Sequence, residues 1–190
     1  MHKGWLEAFS DGVIAIIITI MVLELKVPRG SDWAALQSVV PVFLSYVMSF
    51  VFLGIYWNNH HHLLQAIKHV NGRILWANLH LLFWLSLVPF VTAWLGENDF
   101  ASRPVALYGI VLLFAAVAYF ILVQTLIVHH GSDSVLAAAI GRDVKGKISV
   151  GLYAVAILLS LSNSMFACAL YVLVAVIWLI PDRRIEKVLN

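Results

Sequence analysis

Residues 9–25, FSDGVIAIIITIMVLEL, decide the fold of this chain. A serine–aspartate pair stands near the start, and large apolar residues follow, interrupted by one threonine. A helix over this stretch rises about 25 Å, and one that begins at Trp5 rises about 30 Å. That length matches the hydrocarbon core of a bilayer, so the stretch predicts a membrane-spanning helix.

The residues of this helix separate into faces because successive residues turn by about 100°. An aliphatic stripe lies within about 40° of Ile16 and contains Phe9, Gly12, Ile20 and Leu23. Thr19 lies about 60° from Ile16, whereas Ser10 and Asp11 lie about 120° and 140° away on opposite sides. If the acid faces the rest of the protein, the stripe faces lipid, a neighbouring helix or another surface.

The composition identifies a polytopic membrane protein. Of the 190 residues, 62% are hydrophobic and only 12% are charged, about half the usual share in soluble proteins. The net charge of +2 is too small to suggest binding to nucleic acid. The one cysteine, Cys168, excludes an intrachain disulfide.

Six apolar segments predict an all-α membrane domain that covers residues 1–190, with its termini on one side. The predicted segments are 5–25, 34–61, 74–95, 105–128, 148–163 and 165–181. On the terminal side stand nine basic residues: Lys3, Lys68, Arg73, Arg142, Lys145, Lys147, Arg183, Arg184 and Lys187. The other side has Lys26, Arg29 and Arg103. This excess predicts cytoplasmic termini and a place in the inner (plasma) membrane.

Three helices then bring polar residues to the same depth near the inner face. The first contributes Ser10 and Asp11, the second the run 57–62 (WNNHHH), and the third Asn71, Asn78 and His80. Unpaired polar groups are costly within a membrane, so we expect a shared hydrogen-bond network at this level.

The run FSDGVIAIIITIMVLEL resembles the first-helix signature of bacterial relatives of the endolysosomal potassium channel, the transmembrane protein 175 family. The resemblance implies a potassium-permeable channel, a homotetramer with six helices per chain, whose first helices line the pore. It further implies that the Phe-Ser-Asp motif joins Trp, Asn and His side chains on the second and third helices. The corresponding residues are Phe9, Ser10, Asp11, Trp57, Asn59, His61, Asn78 and His80. The family has an arginine four residues before the phenylalanine, where this chain has Trp5. Lys3, a histidine or an asparagine could replace that cation beside Asp11.

The stripe suggests a gate in such a channel. Rings of Ile16, Ile20 and Leu23 around an axis would exclude water and thereby ions. Thr19 would tune selectivity beside them, although its hydroxyl could equally be occupied by the carbonyl of Ala15. No TVGYG-like filter is present in the sequence, so we expect only moderate potassium selectivity.

Other functions have weaker support in the sequence. The adjacent histidines 60–62 point about 100° apart and cannot converge on one metal ion from one helix, although one of them could bind a metal with a partner on another helix. We expect no metal and no cofactor. His61 and His80 could hold a haem in a b-type cytochrome, and Asp11 with the histidines could serve a secondary transporter or proton pathway. The sequence contains neither a nucleophile elbow nor a phosphate-binding loop, so neither motif indicates an enzyme here.

Overall fold

The computed structural model describes residues 3–67, 69–131, 137 and 144–179. Eight α-helices lie in these ranges and are numbered here in chain order. They are α1 (Lys3–Leu23), α2 (Trp33–Gln37), α3 (Val40–Gln65), α4 (Gly72–Ser86), α5 (Val88–Glu97), α6 (Ser102–His130), α7 (Val144–Ser160) and α8 (Ser164–Leu179). The prediction of an all-α membrane protein is confirmed.

Within the described ranges, four helical units are long and apolar enough to cross a bilayer: α1, α3, α4 with α5, and α6. The remaining predicted segments correspond to α7 and α8, which have 17 and 16 residues. The end of the last predicted segment, and the basic residues Lys68, Arg142, Arg183, Arg184 and Lys187, lie outside the described residues.

Two proline-linked breaks interrupt segments that the sequence pattern predicts as continuous. Residues 34–61 divide into α2 and α3, and Pro41 stands in the first turn of α3. Residues 74–95 divide at Leu87, and Pro89 stands in the first turn of α5. Proline has no N–H to donate to the preceding turn, and its ring clashes with that turn's carbonyl. The first helical turn tolerates both properties, so each proline begins a new helix.

Helix α6 is central, packing against α4, α5, α7 and α8. Small residues let backbones approach closely within this bundle. A Cβ added to Gly96 on α5 would lie 2.6 Å from the Cα of Val42 on α3. Within a membrane the hydrophobic effect does not drive helices together, and close van der Waals packing of this kind stabilises their association instead.

Helix α1 packs against α3, α4 and α5 through one face. Its buried residues are Leu6, Ser10, Ile14, Ile17 and Met21. On a helical projection all five lie within about 40° of Ser10, which places Ser10 at the centre of the buried face. The aliphatic stripe around Ile16 therefore points away from the rest of the chain.

Candidate pore-lining helix and its polar support

The aliphatic stripe of α1 is exposed along its length in the single chain. The exposed fractions are 52% for Phe9, 58% for Ile16, 44% for Ile20 and 77% for Leu23. Gly12 belongs to the same exposed face. Ile14 and Ile17 on the same helix are 1% and 5% exposed, so composition alone does not account for the difference.

An open groove adjoins the stripe, between α1 and α5. It has a volume of about 650 Å³ and is lined by Ile16 and Ile20 on α1 and by Phe90 and Trp94 on α5. Apolar side chains dominate this lining, while Glu24 and Glu97 lie at one end. The exposed apolar surface thus extends from the stripe onto a second helix.

Thr19 stands at the edge of the stripe and is exposed. Its hydroxyl lies 3.0 Å from the carbonyl oxygens of both Ala15 and Ile16, to which it donates. The hydroxyl oxygen retains its lone pairs, since donation to a carbonyl uses only the proton. Thr19 can therefore offer an acceptor while its proton is held by the helix.

A buried hydrogen-bond chain connects α1, α4 and α3. Asn78 Nδ2 donates to Ser10 Oγ at 2.9 Å, and Ser10 Oγ donates to the Leu6 carbonyl at 2.8 Å. His60 Nε2 lies 2.7 Å from Asn78 Oδ1. Because that amide oxygen can only accept, Nε2 of His60 carries the proton. Ser10, Asn78 and His60 are at most 1% exposed, so the chain fixes three helices at one depth without help from solvent.

Asp11 lies at the edge of this buried face and contacts α3. Trp57 Nε1 donates to Asp11 Oδ1 at 3.1 Å. The Trp57 ring also stacks on His61, whose Nδ1 lies 3.3 Å from Glu7 Oε1. Glu7 precedes Asp11 by four residues, which places both carboxylates on the same side of α1.

Trp5, which stands where the family has arginine, and Lys3, a suggested replacement for that cation, have separate positions. Trp5 is 81% exposed and lies on the outside of the chain. Lys3 Nζ donates to the carbonyls of Leu64 and Gln65 at 3.1 Å each. A cation near the last carbonyls of a helix is favourable, so Lys3 holds the start of α1 to the end of α3. The donor that the structure brings to Asp11 is the indole of Trp57, which is none of the three replacements suggested by the sequence.

Some residues of the predicted network lie outside these contacts. Phe9 is exposed on the stripe, and Asn59 Nδ2 donates to the carbonyl of Ile55 within α3. His80 is exposed and accepts from Trp84 Nε1 at 3.0 Å within α4. Two other residues, His60 and Glu7, complete the contacts instead. Glu7 could have been predicted from the sequence, because its i, i+4 spacing from Asp11 places it on the same side of α1. His60 could not have been chosen from the sequence, because it stands in a run of six consecutive polar residues.

The outer end of α1 is held by a different contact. Lys26, just beyond α1, forms an ion pair with Glu97 at the end of α5. Hydrogen bonding and charge from Glu97 raise the pKa of Lys26 above its ordinary value. Both side chains are solvent-exposed, so the ion pair adds little to the free energy of folding. It holds the segment after α1 near the end of α5.

The histidines considered as metal or haem ligands have protein side chains as neighbours. No group of three His, Cys, Asp or Glu side chains there has the arrangement to hold a metal ion. His61 contacts Glu7 on α1, while His80 contacts Trp84 on its own helix. The two imidazoles suggested for haem thus have separate partners.

Comparisons with known proteins agree with the resemblance of the first helix. The family described as "Endosomal/lysosomal potassium channel TMEM175" matches residues 5–89. A protein of Chryseobacterium sp. (strain P1-3), named a potassium channel, is 59% identical over 190 residues, covering 100% of this chain and 99% of the relative. The chain belongs to the TMEM175 family.

Two further comparisons extend this assignment. A Streptomyces collinus protein named a potassium channel is 39% identical over 126 residues, covering 62% of this chain and 61% of the relative. The crystal structure of a lysosomal potassium-selective channel TMEM175 homolog from Chamaesiphon minutus matches with a TM-score of 0.80 at 27% identity. That match covers 95% of this chain and 97% of the homolog. This TMEM175 member is therefore a multi-pass membrane protein of a channel family, not an enzyme.

Proposed function

We propose that this chain is one subunit of a potassium-permeable, moderately potassium-selective cation channel. Helix α1 from each subunit lines the pore, and Ile16, Ile20 and Leu23 form its hydrophobic constriction. Thr19 offers its hydroxyl oxygen beside that constriction. The proposal is supported by the two bacterial relatives described above, both of which are named potassium channels.

One observation carries the proposal: α1 buries the face around Ser10 and exposes the opposite face around Ile16. A narrow ring of such aliphatic side chains excludes water, and an ion cannot cross a dry constriction without losing its hydration. A carbonyl filter is not needed for this mechanism. Selectivity then depends on pore width and on side-chain oxygens such as that of Thr19.

A single copy contributes one α1 and cannot enclose a pore, so the channel is an oligomer. We infer a homotetramer, as the family resemblance implies. The groove of about 650 Å³ between α1 and α5 supports self-association, because a neighbouring subunit could cover its apolar lining. The six predicted segments and the excess of basic residues support six crossings with cytoplasmic termini in the inner membrane.

The polar contacts around Asp11 serve to position α1 in this proposal. Ser10, Asn78 and His60 connect three helices sideways at one depth. A proton pathway or transporter would need polar groups arranged along the direction of transport. Because these contacts run across the bundle, they favour a structural role over a proton pathway or a transporter.

Ion flux from purified protein in liposomes tests the function. Potassium efflux without a co-substrate, exceeding sodium efflux under a matched gradient, is the expected result. Flux that saturates and requires a second substrate would contradict a channel. If the wild-type constriction is closed, the variant carrying Ile16→Asn and Leu23→Asn is expected to conduct.

The matched control is Leu158→Asn on α7, a leucine that is 71% exposed but lies on another helix. It introduces the same polar group at an exposed site away from the stripe. The double variant should raise the leak and the control should not. Unchanged flux in a folded double variant would exclude the stripe as the constriction.

A further inference from the structure

A second cavity lies between α3, α6, α7 and α8, away from the exposed stripe of α1. Its volume is about 350 Å³. Its lining is mainly apolar and includes Phe52, Ile55, Ala116, Val150 and Tyr153. An unfilled space of this kind leaves its lining without dispersion contacts on one side.

Several polar groups that line the cavity have partners within the protein. Trp178 Nε1 donates to Ser149 Oγ at 2.8 Å, and Ser149 Oγ donates to the Lys145 carbonyl at 2.8 Å. Asn59 Nδ2 donates to the Ile55 carbonyl at 2.8 Å. These three donors are engaged within the protein, and aliphatic and aromatic carbon atoms make up most of the remaining lining. The site therefore favours an apolar occupant.

One end of the cavity is positively charged. Lys147, in the first turns of α7, lines the cavity and is exposed. From Lys147 to Tyr153, α7 rises about 9 Å, so the apolar lining extends to roughly a third of the hydrocarbon thickness. A charged mouth leads into an apolar interior.

The cavity is accessible from the side of the bundle. Phe120 of α6 lines it and is 42% exposed on the surface of a membrane-spanning helix. A membrane lipid can therefore reach the site from the bilayer without entering the pore. Basic pockets between membrane helices are known sites for anionic lipid headgroups.

We propose that this cavity binds one acyl chain of an anionic phospholipid, with the headgroup phosphate held by Lys147. The chain enters between α6 and α7 and packs against Ala116, Val150 and Tyr153. Charge complementarity selects the headgroup, and the apolar interior accepts the upper part of one chain. This site is independent of the stripe on α1, so either proposal can fail without the other.

Native mass spectrometry of the purified channel tests the site. Phosphatidylglycerol and phosphatidylcholine with identical acyl chains are added in turn, and retained lipids per subunit are counted. One lysine near a membrane surface contributes enough for an affinity difference of about fivefold in favour of phosphatidylglycerol. Equal retention of the two lipids by the wild type would overturn the assignment of an anionic ligand.

Three variants separate the headgroup from the chain. Lys147→Gln should remove the preference for phosphatidylglycerol while leaving the cavity intact. Val150→Trp should fill the cavity and reduce retention of both lipids. Leu158→Trp is the matched control, because it adds the same ring to an exposed position of the same helix.

Retention by Val150→Trp equal to that of Leu158→Trp would show that the lipid binds elsewhere and would overturn the proposal. If Val150→Trp does not fold, Ala116→Leu makes a smaller change from the opposite wall. Its retention should also fall below that of the control. Unchanged preference in Lys147→Gln would exclude Lys147 as the phosphate ligand.

Discussion

Asn78 Nδ2 donates a 2.9 Å hydrogen bond to Ser10 Oγ, and through it α4 holds the buried face of α1. The Ser10 hydroxyl donates a hydrogen bond to the Leu6 carbonyl, so its oxygen still has lone pairs with which to accept. Both side chains have no exposed surface, and no solvent can replace either partner. The position of the stripe on the opposite face of α1 thus depends on a contact made behind it.

Ser10→Ala and Asn78→Ala should each destabilise the protein by about 1–2 kcal/mol, since each leaves a buried polar partner unpaired. The double variant should lose less than the sum, because both substitutions remove one shared interaction. Unfolding of the purified protein in mixed micelles measures the free energies. Ser86→Ala is the control, since this exposed hydroxyl donates only to the Phe83 carbonyl. Strictly additive losses would show that the bond contributes nothing.

The sequence predicts the level of these contacts but not every partner. Helical periodicity places Ser10 and Asp11 away from the stripe, and topology brings 57–62 and Asn78 to the same depth. The choice of His60 over His61 depends on the rotation of α3 about its axis. The run 57–62 places polar residues on every side of that helix, so its sequence has no single polar face that sets the rotation.

The helix breaks also show which features the local sequence predicts and which depend on tertiary packing. Pro41 and Pro89 are visible in the sequence, yet hydropathy averaged over a span conceals that each begins a new helix. The exposure of the stripe is different in kind. Periodicity identifies the stripe, but only the packing of α1 against α3, α4 and α5 shows which face remains open.

Asp11→Ala should weaken assembly without changing the order of permeant ions. The substitution removes the acceptor for Trp57 Nε1, a contact between α1 and α3. We expect the free energy of unfolding to fall by about 1 kcal/mol, because the carboxylate is partly exposed. Size-exclusion chromatography with light scattering measures the oligomer, and reversal potentials measure ion preference.

Trp57→Phe is the matched variant, since it removes the indole donor and keeps an aromatic ring beside His61. It should reproduce the assembly defect of Asp11→Ala. Altered potassium-to-sodium preference in folded Asp11→Ala would instead place the carboxylate in the conduction path.

Gly96→Ala should destabilise the bundle by about 1–3 kcal/mol, the usual cost of overpacking. The new Cβ would lie 2.6 Å from the backbone Cα of Val42, so α3 and α5 would have to separate. Gly54→Ala on α3 is the control, since no atom lies within 4 Å of its added Cβ. The control should be neutral or slightly more stable, because alanine favours helix more than glycine does. Thermal unfolding in detergent compares them, and equal melting temperatures would contradict the close contact.

Thr19→Val should reduce potassium conductance and the preference for potassium over sodium, whereas Thr19→Ser should retain both. Valine matches threonine in shape but lacks the oxygen, so it removes the hydroxyl acceptor beside the constriction. Serine keeps that oxygen and can make the same bonds to the carbonyls of Ala15 and Ile16. Reversal potentials with potassium and sodium on opposite sides of a bilayer measure the change. If Thr19→Val behaves like the wild type, the hydroxyl is occupied by the helix carbonyls alone and selectivity comes from the width of the apolar ring.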